Sequence, residues 1–381
     1  MHKIIKEHIC TSRICGKVGS NQGFELMAKK KQWIDISSQV RAEVEPGVYS
    51  ASYTMRKMVK GGVISAQEFK KFQKKTLLDN LYWRAYWRRG DVIAAGGRTH
   101  LPRKVGAVVV FMHGWDGSGE IWENLPARVL GKEQNLLILV PDVNGFLRSP
   151  FQQPDEFGFK HCTPAADMRA IELWLELIGI FGGRRHTPVV FVGHSMSGAA
   201  LFYLNKNRWQ QHRIGRVALA PALLMNDALR KSFYRPLGLG IFASQKLSLE
   251  QITNKLSPVI INQLISGASK SVQATHKRVF KATAKETLSY TFYAMGRVKQ
   301  PRHGKKWEDF MVILGHDDRL VGISPMLTLL AKFGFGSRQI RAVLGDHYFF
   351  SVGQHSRGLH QESREITLEE ICRMVKACRD G

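Results

Sequence analysis

Short apolar runs recur along residues 105–381, separated by stretches whose apolar positions fall three or four apart. Residues 106–111, 136–140, 188–192, 216–219, 310–314 and 340–344 are rich in Val, Ile, Leu and Phe and too short for helices. They predict strands buried on both faces. Residues 120–130, 163–179, 197–207, 324–333 and 367–378 carry the helical period. Thr163 is placed to cap the second of these, with Pro164 at its first helical position. Buried strands alternating with helices predict an α/β fold, with a mostly parallel central sheet flanked by helices.

Two regions fall outside this alternation. Residues 222–304 hold helix formers and no clear strand, which predicts a helical lid inserted between two strands. Such an insertion at the carboxyl edge of a parallel sheet covers the ligand crevice. Near the amino end, Ser65 and Glu68 form a capping box ahead of a helix through Phe69, Phe72 and Leu77. Residues 81–89 read as a strand at period 2 and as an aromatic, basic helical stripe at period 3.6. The turn signal Gly90-Asp91 and the need for a neighbour to the strand at 106 favour the strand. The expected organisation is an N-terminal extension over 1–79, partly disordered, a core over 80–221 and 305–381, and a lid over 222–304. Met27 opens a basic run and is an alternative start, which leaves open whether residues 1–26 are translated.

Composition narrows the class. Of 381 residues 44% are hydrophobic and 23% charged, enough to bury a core and incompatible with a mostly disordered chain. No apolar run approaches the ~20 residues of a spanning helix. The five cysteines, Cys10, Cys15, Cys162, Cys372 and Cys378, are odd in number and form no CxxC pair, which predicts reduced thiols in a cytoplasmic protein. Lys and Arg total 56 against 31 acidic residues, a net charge of +25. That surplus suits anionic partners, among them a membrane surface, or is simply a solvated face. Residues 222–304 alone carry 13 basic and 3 acidic residues, 13 − 3 = +10. Lys270, Lys277, Arg278, Lys281 and Lys285 concentrate this charge, with Val272, Val279 and Phe280 on another helical face. No nucleic-acid module and no dinucleotide or phosphate loop is present, so neither nucleic acid nor a cofactor is expected.

Chemistry concentrates at strand ends. Residues 189–198 read Val-Val-Phe-Val-Gly-His-Ser-Met-Ser-Gly, a strand running into a sharp turn at Ser195 and then a helix of small residues. A serine there exposes its hydroxyl at a helix N-terminus, where backbone N–H groups meet developing negative charge. Ser197 stands where the G-x-S-x-G pattern has its second glycine. An earlier strand ends in His113-Gly-Trp-Asp-Gly-Ser118, a later one in His316-Asp317-Asp318, and the last in Gly345-Asp346-His347. Nucleophile, acid and base thus follow in that order, with Asp317 and Asp318 both available as the acid.

Over about residues 80–381 this constellation resembles the α/β-hydrolase superfamily, in particular its serine-nucleophile, esterase- or lipase-like members. The resemblance implies Ser195 as nucleophile, His347 as general base and Asp318 as the acid, because Asp318-Arg-Leu-Val321 fits the family's spacing to the next helix. It implies an oxyanion hole from the backbone N–H groups of Trp115 and Met196. Residues 141–149 resemble the family's structural loop, with Leu147 replacing a usual glycine. It implies a metal-independent hydrolase acting on a small-molecule acyl substrate.

A serine at the elbow argues against ring or halide opening by a carboxylate. Carboxylesterase, lipase, thioesterase, amidase and carbon–carbon hydrolase chemistry stay open, as do an acyltransferase and a basic lipid- or nucleic-acid-binding protein with a relic triad. His113 and His194 flank the site without a third ligand and are expected to make orienting hydrogen bonds. Asp346 is expected to point away from the His347 ring. Trp122 reads as core, and Leu223, Leu224, Phe233, Leu237, Leu239, Ile241 and Phe242 suggest an apolar acyl pocket.

Overall fold

Adjacent residues of each central strand face opposite cores, which is why those strands read as unbroken apolar runs. In the computed structural model Val108, Val110 and Met112 enter one core, and Ala107, Val109 and Phe111 the other. The structure describes residues 42–88, 94–95, 98–99, 105–143, 145–152, 158–182, 186–223, 239–240, 265, 267–295, 307–351 and 359–381.

In chain order, β1 (Ala42–Glu45) and β2 (Val48–Thr54) precede α1 (Met55–Lys60), α2 (Ala66–Thr76) and β3 (Tyr82–Arg88). β4 (Ala94–Ala95) and β5 (Arg98–Thr99) pair only with each other. Then come β6 (Ala107–Met112), α3 (Leu125–Lys132), β7 (Leu136–Pro141), α4 (Pro164–Leu177), β8 (Val189–His194), α5 (Ser195–Ala200) and β9 (Ile214–Leu219). The insertion contributes α6 (Lys270–Ala282) and α7 (Lys285–Met295). β10 (Phe310–Gly315), α8 (Ile323–Lys332), β11 (Ile340–Val343) and α9 (Leu359–Asp380) complete the chain. The nine-stranded sheet has the order β1-β2-β3-β7-β6-β8-β9-β10-β11. From β7 to β11 all neighbours are parallel, and β1, β2 and β3 add an antiparallel edge. α1, α2, α4 and α8 pack into one core, and α3, α9 and the insertion helices into the other.

Four expectations need correction. Residues 42–79, assigned to an extension outside the core, supply two strands of the main sheet, with β2 in register against β3 from Val48↔Arg88 to Thr54↔Tyr82. Ser50, Ser52 and Thr54 hide this strand from an apolar pattern. The helix expected over 120–130 is a 3₁₀ turn at Gly119–Trp122 followed by α3, because Glu123 between them takes φ 49°. The helix expected over 197–207 starts at Ser195, ends at Ala200 and continues only as 3₁₀ turns. The basic segment does not run as one helix to Lys285: α6 ends at Ala282 and Lys285 opens α7. Within the segment 81–89, Tyr82–Arg88 form a strand, the alternative that the turn signal and the need for a neighbour favoured. The capping box at Ser65 and Glu68 is present in both directions, and Thr163 caps α4 through the Ala166 N–H.

The turn between β8 and α5 is set by close backbone approach. A β-carbon on Gly193 would lie 2.5 Å from the Ser197 carbonyl oxygen, and one on Gly198 3.1 Å from Cα of Pro221. Ser197 fits where a second glycine is usual because its hydroxyl has a partner: Oγ donates to Asp167 Oδ2 on α4 at 2.7 Å. Asp167 is fully buried, and its other oxygen makes no hydrogen bond. Burial pushes its carboxyl up to about 7, against the pull of the Ser197 hydrogen bond. The folded protein therefore holds a proton here that the unfolded chain releases near pH 4. Stability should fall as pH rises from about 4 to about 7 and level off above, by roughly 4 kcal/mol at ~1.36 kcal/mol per pH unit. Asp167→Asn should flatten this slope in urea unfolding measured across that range. An unchanged slope would place the proton elsewhere.

Candidate active site

The site lies beyond the carboxyl ends of β6, β8, β10 and β11. Ser195 opens α5 with φ 52°, a left-handed conformation that costs a non-glycine residue roughly 1–2 kcal/mol. Its carbonyl accepts from the Ala222 N–H at 2.9 Å, tying the elbow to the segment after β9. The loop after β6 presses against it: a β-carbon on Gly114 would lie 2.9 Å from Ser195 Cβ. Glycine at 114 therefore lets Trp115 approach the serine. Met196 is buried in the first turn of α5, where N–H groups have no intrahelical acceptor.

The ends of β10 and β11 meet just as closely. A β-carbon on Gly315 would lie 2.3 Å from the Asp346 carbonyl oxygen, and the Asp317 N–H donates to the Gly345 carbonyl at 2.9 Å. This approach places His347 Nδ1 2.8 Å from Asp318 Oδ2, both residues buried. Asp318 Oδ1 accepts from the N–H groups of Leu320 and Val321 at 2.9 and 3.0 Å. Burial works to raise the Asp318 carboxyl. The His347 imidazole and the two backbone donors outweigh it and hold the group below the usual carboxylate range. Asp317 is 67% exposed and faces His316. Asp318, preferred on the family's spacing, and its neighbour Asp317 thus occupy unlike environments.

The flanking histidines are internally bonded. His113 accepts from the Val143 N–H at Nε2 and donates from Nδ1 to the Gly114 carbonyl, each at 2.8 Å. Burial lowers it to about 4 and keeps it neutral. His194 Nε2 donates to the His347 carbonyl at 3.0 Å, and burial first, then the His347 charge, holds its pKa well below the ordinary value. Asp346 accepts from the Tyr348 N–H at 2.9 Å. Trp122 is core, edge-on to Phe111. In the loop after β7, Arg148 forms a two-point pair with buried Asp142 at 2.6 and 3.1 Å and covers the Tyr82 ring at 3.8 Å. Leu147 takes φ 46°, the conformation a glycine would supply there.

Of the residues expected to line an apolar pocket, Leu223 is buried in the core and Leu239 is 53% exposed. Leu224, Phe233, Leu237, Ile241 and Phe242 lie outside the described residues, as do Cys10, Cys15 and the Gly90-Asp91 turn. Cys162, Cys372 and Cys378 are buried free thiols. Val272, Val279 and Phe280 are buried in the second core, whereas Lys270, Lys277 and Lys281 are exposed. Arg278 pairs with Glu120. No helix among the described residues is long and apolar enough to cross a membrane.

Sequence reasoning assigned nothing to Asp116, His276 or Tyr348, all buried beside these loops. Asp116 and Tyr348 adjoin Trp115 and His347 in the chain, which was the available signal. His276 sits in a basic helix with no motif around it.

The Alpha/beta hydrolase family model matches residues 109–355. Among solved structures, the chain is similar to an esterase from Thermogutta terrifontis at 15% identity, covering 76% of this chain and 97% of that one, with a TM-score of 0.47. An esterase from Exiguobacterium antarcticum matches at 13% identity over 78% and 96% of the two chains, with a TM-score of 0.49. A hydrolase from Pseudomonas aeruginosa PA01 matches at 14% identity over 78% and 94%, with a TM-score of 0.47. No curated protein matches the chain. The family match spans well over half of the sequence, from within β6 past His347, and the chain belongs to the alpha/beta hydrolase family.

Proposed function

We propose that the protein is a serine hydrolase that cleaves a small-molecule, ester-like acyl substrate through an acyl-enzyme. The observation that carries this reading is the buried His347–Asp318 pair, at 2.8 Å, on loops that converge with the Ser195 elbow. Asp318 accepts from His347 Nδ1–H, which leaves Nε2 unprotonated and able to take the Ser195 proton. Ser195 Oγ then attacks the acyl carbonyl. The carbonyl oxygen becomes an oxyanion held by the Met196 and Trp115 N–H groups, each worth roughly 3–4 kcal/mol in the transition state. His347 returns the proton to the leaving oxygen, and water repeats the sequence on the acyl-enzyme. An alcohol in place of water would make the same site an acyltransferase.

The exposed α6 lysines support a second reading, about location only. Because the apolar residues of α6 are buried, contact with an anionic membrane would be electrostatic, at roughly 1 kcal/mol per cation near the lipid.

Ser195→Ala should lower kcat on p-nitrophenyl esters by roughly 10³-fold or more and abolish fluorophosphonate labelling, with unfolding unchanged. Full activity in this variant would overturn the mechanism. Asp318→Asn should cost about 10³–10⁴-fold in kcat, while Asp317→Asn should stay within about twofold; the reverse ranking would move the acid. In vesicle sedimentation the protein should pellet with anionic but not neutral liposomes and be released by salt of about 0.5 M. Equal recovery in both supernatants would leave the lysines as solvated surface.

A further inference from the structure

His276 lies on α6, within the insertion, and is 2% exposed. Its Nε2 is 2.8 Å from the Tyr348 hydroxyl. On the other side, Nδ1 faces Asp116, 3.6 Å from its Oδ2. With Nδ1 facing an acidic residue, the ring carries its proton there and accepts at Nε2 from the Tyr348 O–H. Burial keeps the imidazole neutral, at about 3, as this arrangement requires. The Asp116 carboxyl makes no hydrogen bond, and His276 Nδ1 faces it.

Both partners adjoin residues of the acyl-transfer reading. Asp116 follows Trp115, whose N–H is assigned to the oxyanion hole, and has φ 54°, a strained conformation that needs support. Tyr348 follows His347, with ring centroids 5.4 Å apart, and its ring also lies 4.7 Å from that of His194. The insertion grips the same loop a second time: Trp115 Nε1 donates to the Leu288 carbonyl of α7 at 3.2 Å, and its ring meets Phe292 edge-on at 4.7 Å. Packing alone would not select a histidine here. A buried leucine would fill the volume but remove the acceptor of the Tyr348 hydroxyl and the polar ring that faces Asp116.

We propose that His276 is a positioning residue through which the insertion sets both the oxyanion loop at Trp115–Asp116 and the base loop at His347–Tyr348. On this account α6 and α7 are a fixed wall of the site. The proposal rests on the Ser195 acyl-transfer reading, since it concerns the geometry of that step.

The test measures kcat and KM on p-nitrophenyl esters for wild type, Tyr348→Phe, His276→Leu, His276→Gln and the Tyr348→Phe/His276→Leu double variant. Each kcat is normalised to active sites counted by fluorophosphonate titration. Tyr348→Phe should lower kcat per titrated site about tenfold, and His276→Leu about a hundredfold, with KM within about twofold, as expected for misplaced catalytic groups. The double variant should be no slower than His276→Leu, because both act through one bond. His276→Gln, whose side-chain carbonyl can accept from Tyr348, should recover at least about fivefold over His276→Leu. If His276→Leu does not fold, Tyr348→Phe, which loses a single atom, decides alone. Variants with wild-type kcat per titrated site, differing only in site number or thermal midpoint, would overturn the positioning role and leave the Ser195 reading intact. A wild type that neither labels nor turns over would overturn both.

Discussion

Close backbone approach at the carboxyl ends of the central strands is the constraint on which the rest of this structure depends. Gly114, Gly193 and Gly315 each stand where a β-carbon would collide with neighbouring atoms at under 3 Å. The first brings the Trp115 loop against Ser195, the second turns β8 into α5, and the third presses the Asp318 loop onto the His347 loop. None of these approaches is favourable alone, and Ser195, Asp116 and Leu147 add left-handed strain. The compensation is burial. β6 to β10 are buried along their whole length, and alternate residues feed two cores, so the strand ends have little freedom to relax. Rigid strands hold the strained ends in register, and the strain fixes where Ser195, Asp318 and His347 stand.

A second regularity concerns buried acids. Asp318, Asp142, Asp167 and Asp116 are all nearly inaccessible, yet they are stabilised in different ways. Asp142 has an arginine and a backbone N–H. Asp318 has an imidazole and two backbone donors, and remains a carboxylate. Asp167 has one serine hydroxyl and is pushed up to about 7, whereas the Asp116 carboxyl has no hydrogen bond and burial pushes it well above the ordinary value. Among Asp318, Asp167 and Asp116, the direction of the shift follows the donors each carboxyl has. Only Asp318 combines a charge with a histidine partner in hydrogen-bonding contact, the combination that fixing an imidazole tautomer requires.

The same physics explains what the sequence made legible. β6, β7, β8 and β10 were readable because burial on both faces leaves unbroken apolar runs. β2 was not, since Ser50, Ser52 and Thr54 break its apolar pattern, and a strand of the antiparallel end of the sheet, with Tyr49, Ser52 and Thr54 only half-buried, does not need an unbroken apolar run. Helix ends were misread where one residue left the helical region, as Glu123 does before α3. Ser195, Asp318 and His347 were candidates because each follows a strand that the pattern already marks. Spacing alone left Asp317 and Asp318 open, and the environments that distinguish them arise only when β10 and β11 meet. His276 was beyond reach for a further reason. Its partners Asp116 and Tyr348 are 160 and 72 residues away, and a lone histidine on a basic helix carries no local mark of either.

The charge surplus separates from the site on the same grounds. Many acidic side chains in the described residues are engaged internally: Asp142 with Arg148, Glu120 with Arg278, Glu133 with Lys376 and Arg379, and Glu370 with Arg341 and Arg373. Exposed lysines such as Lys70, Lys71, Lys74, Lys75, Lys277 and Lys281 carry much of the excess. At physiological ionic strength such charges act over roughly 8 Å, while the contacts that set His347 and Ser195 are short and shielded from solvent. The surface field therefore bears on what the protein meets and how fast, and the buried acids and strand-end glycines bear on what happens after contact. A mutation that removes the lysines of α2 and one that disturbs the elbow should thus act nearly independently, as distant sites do.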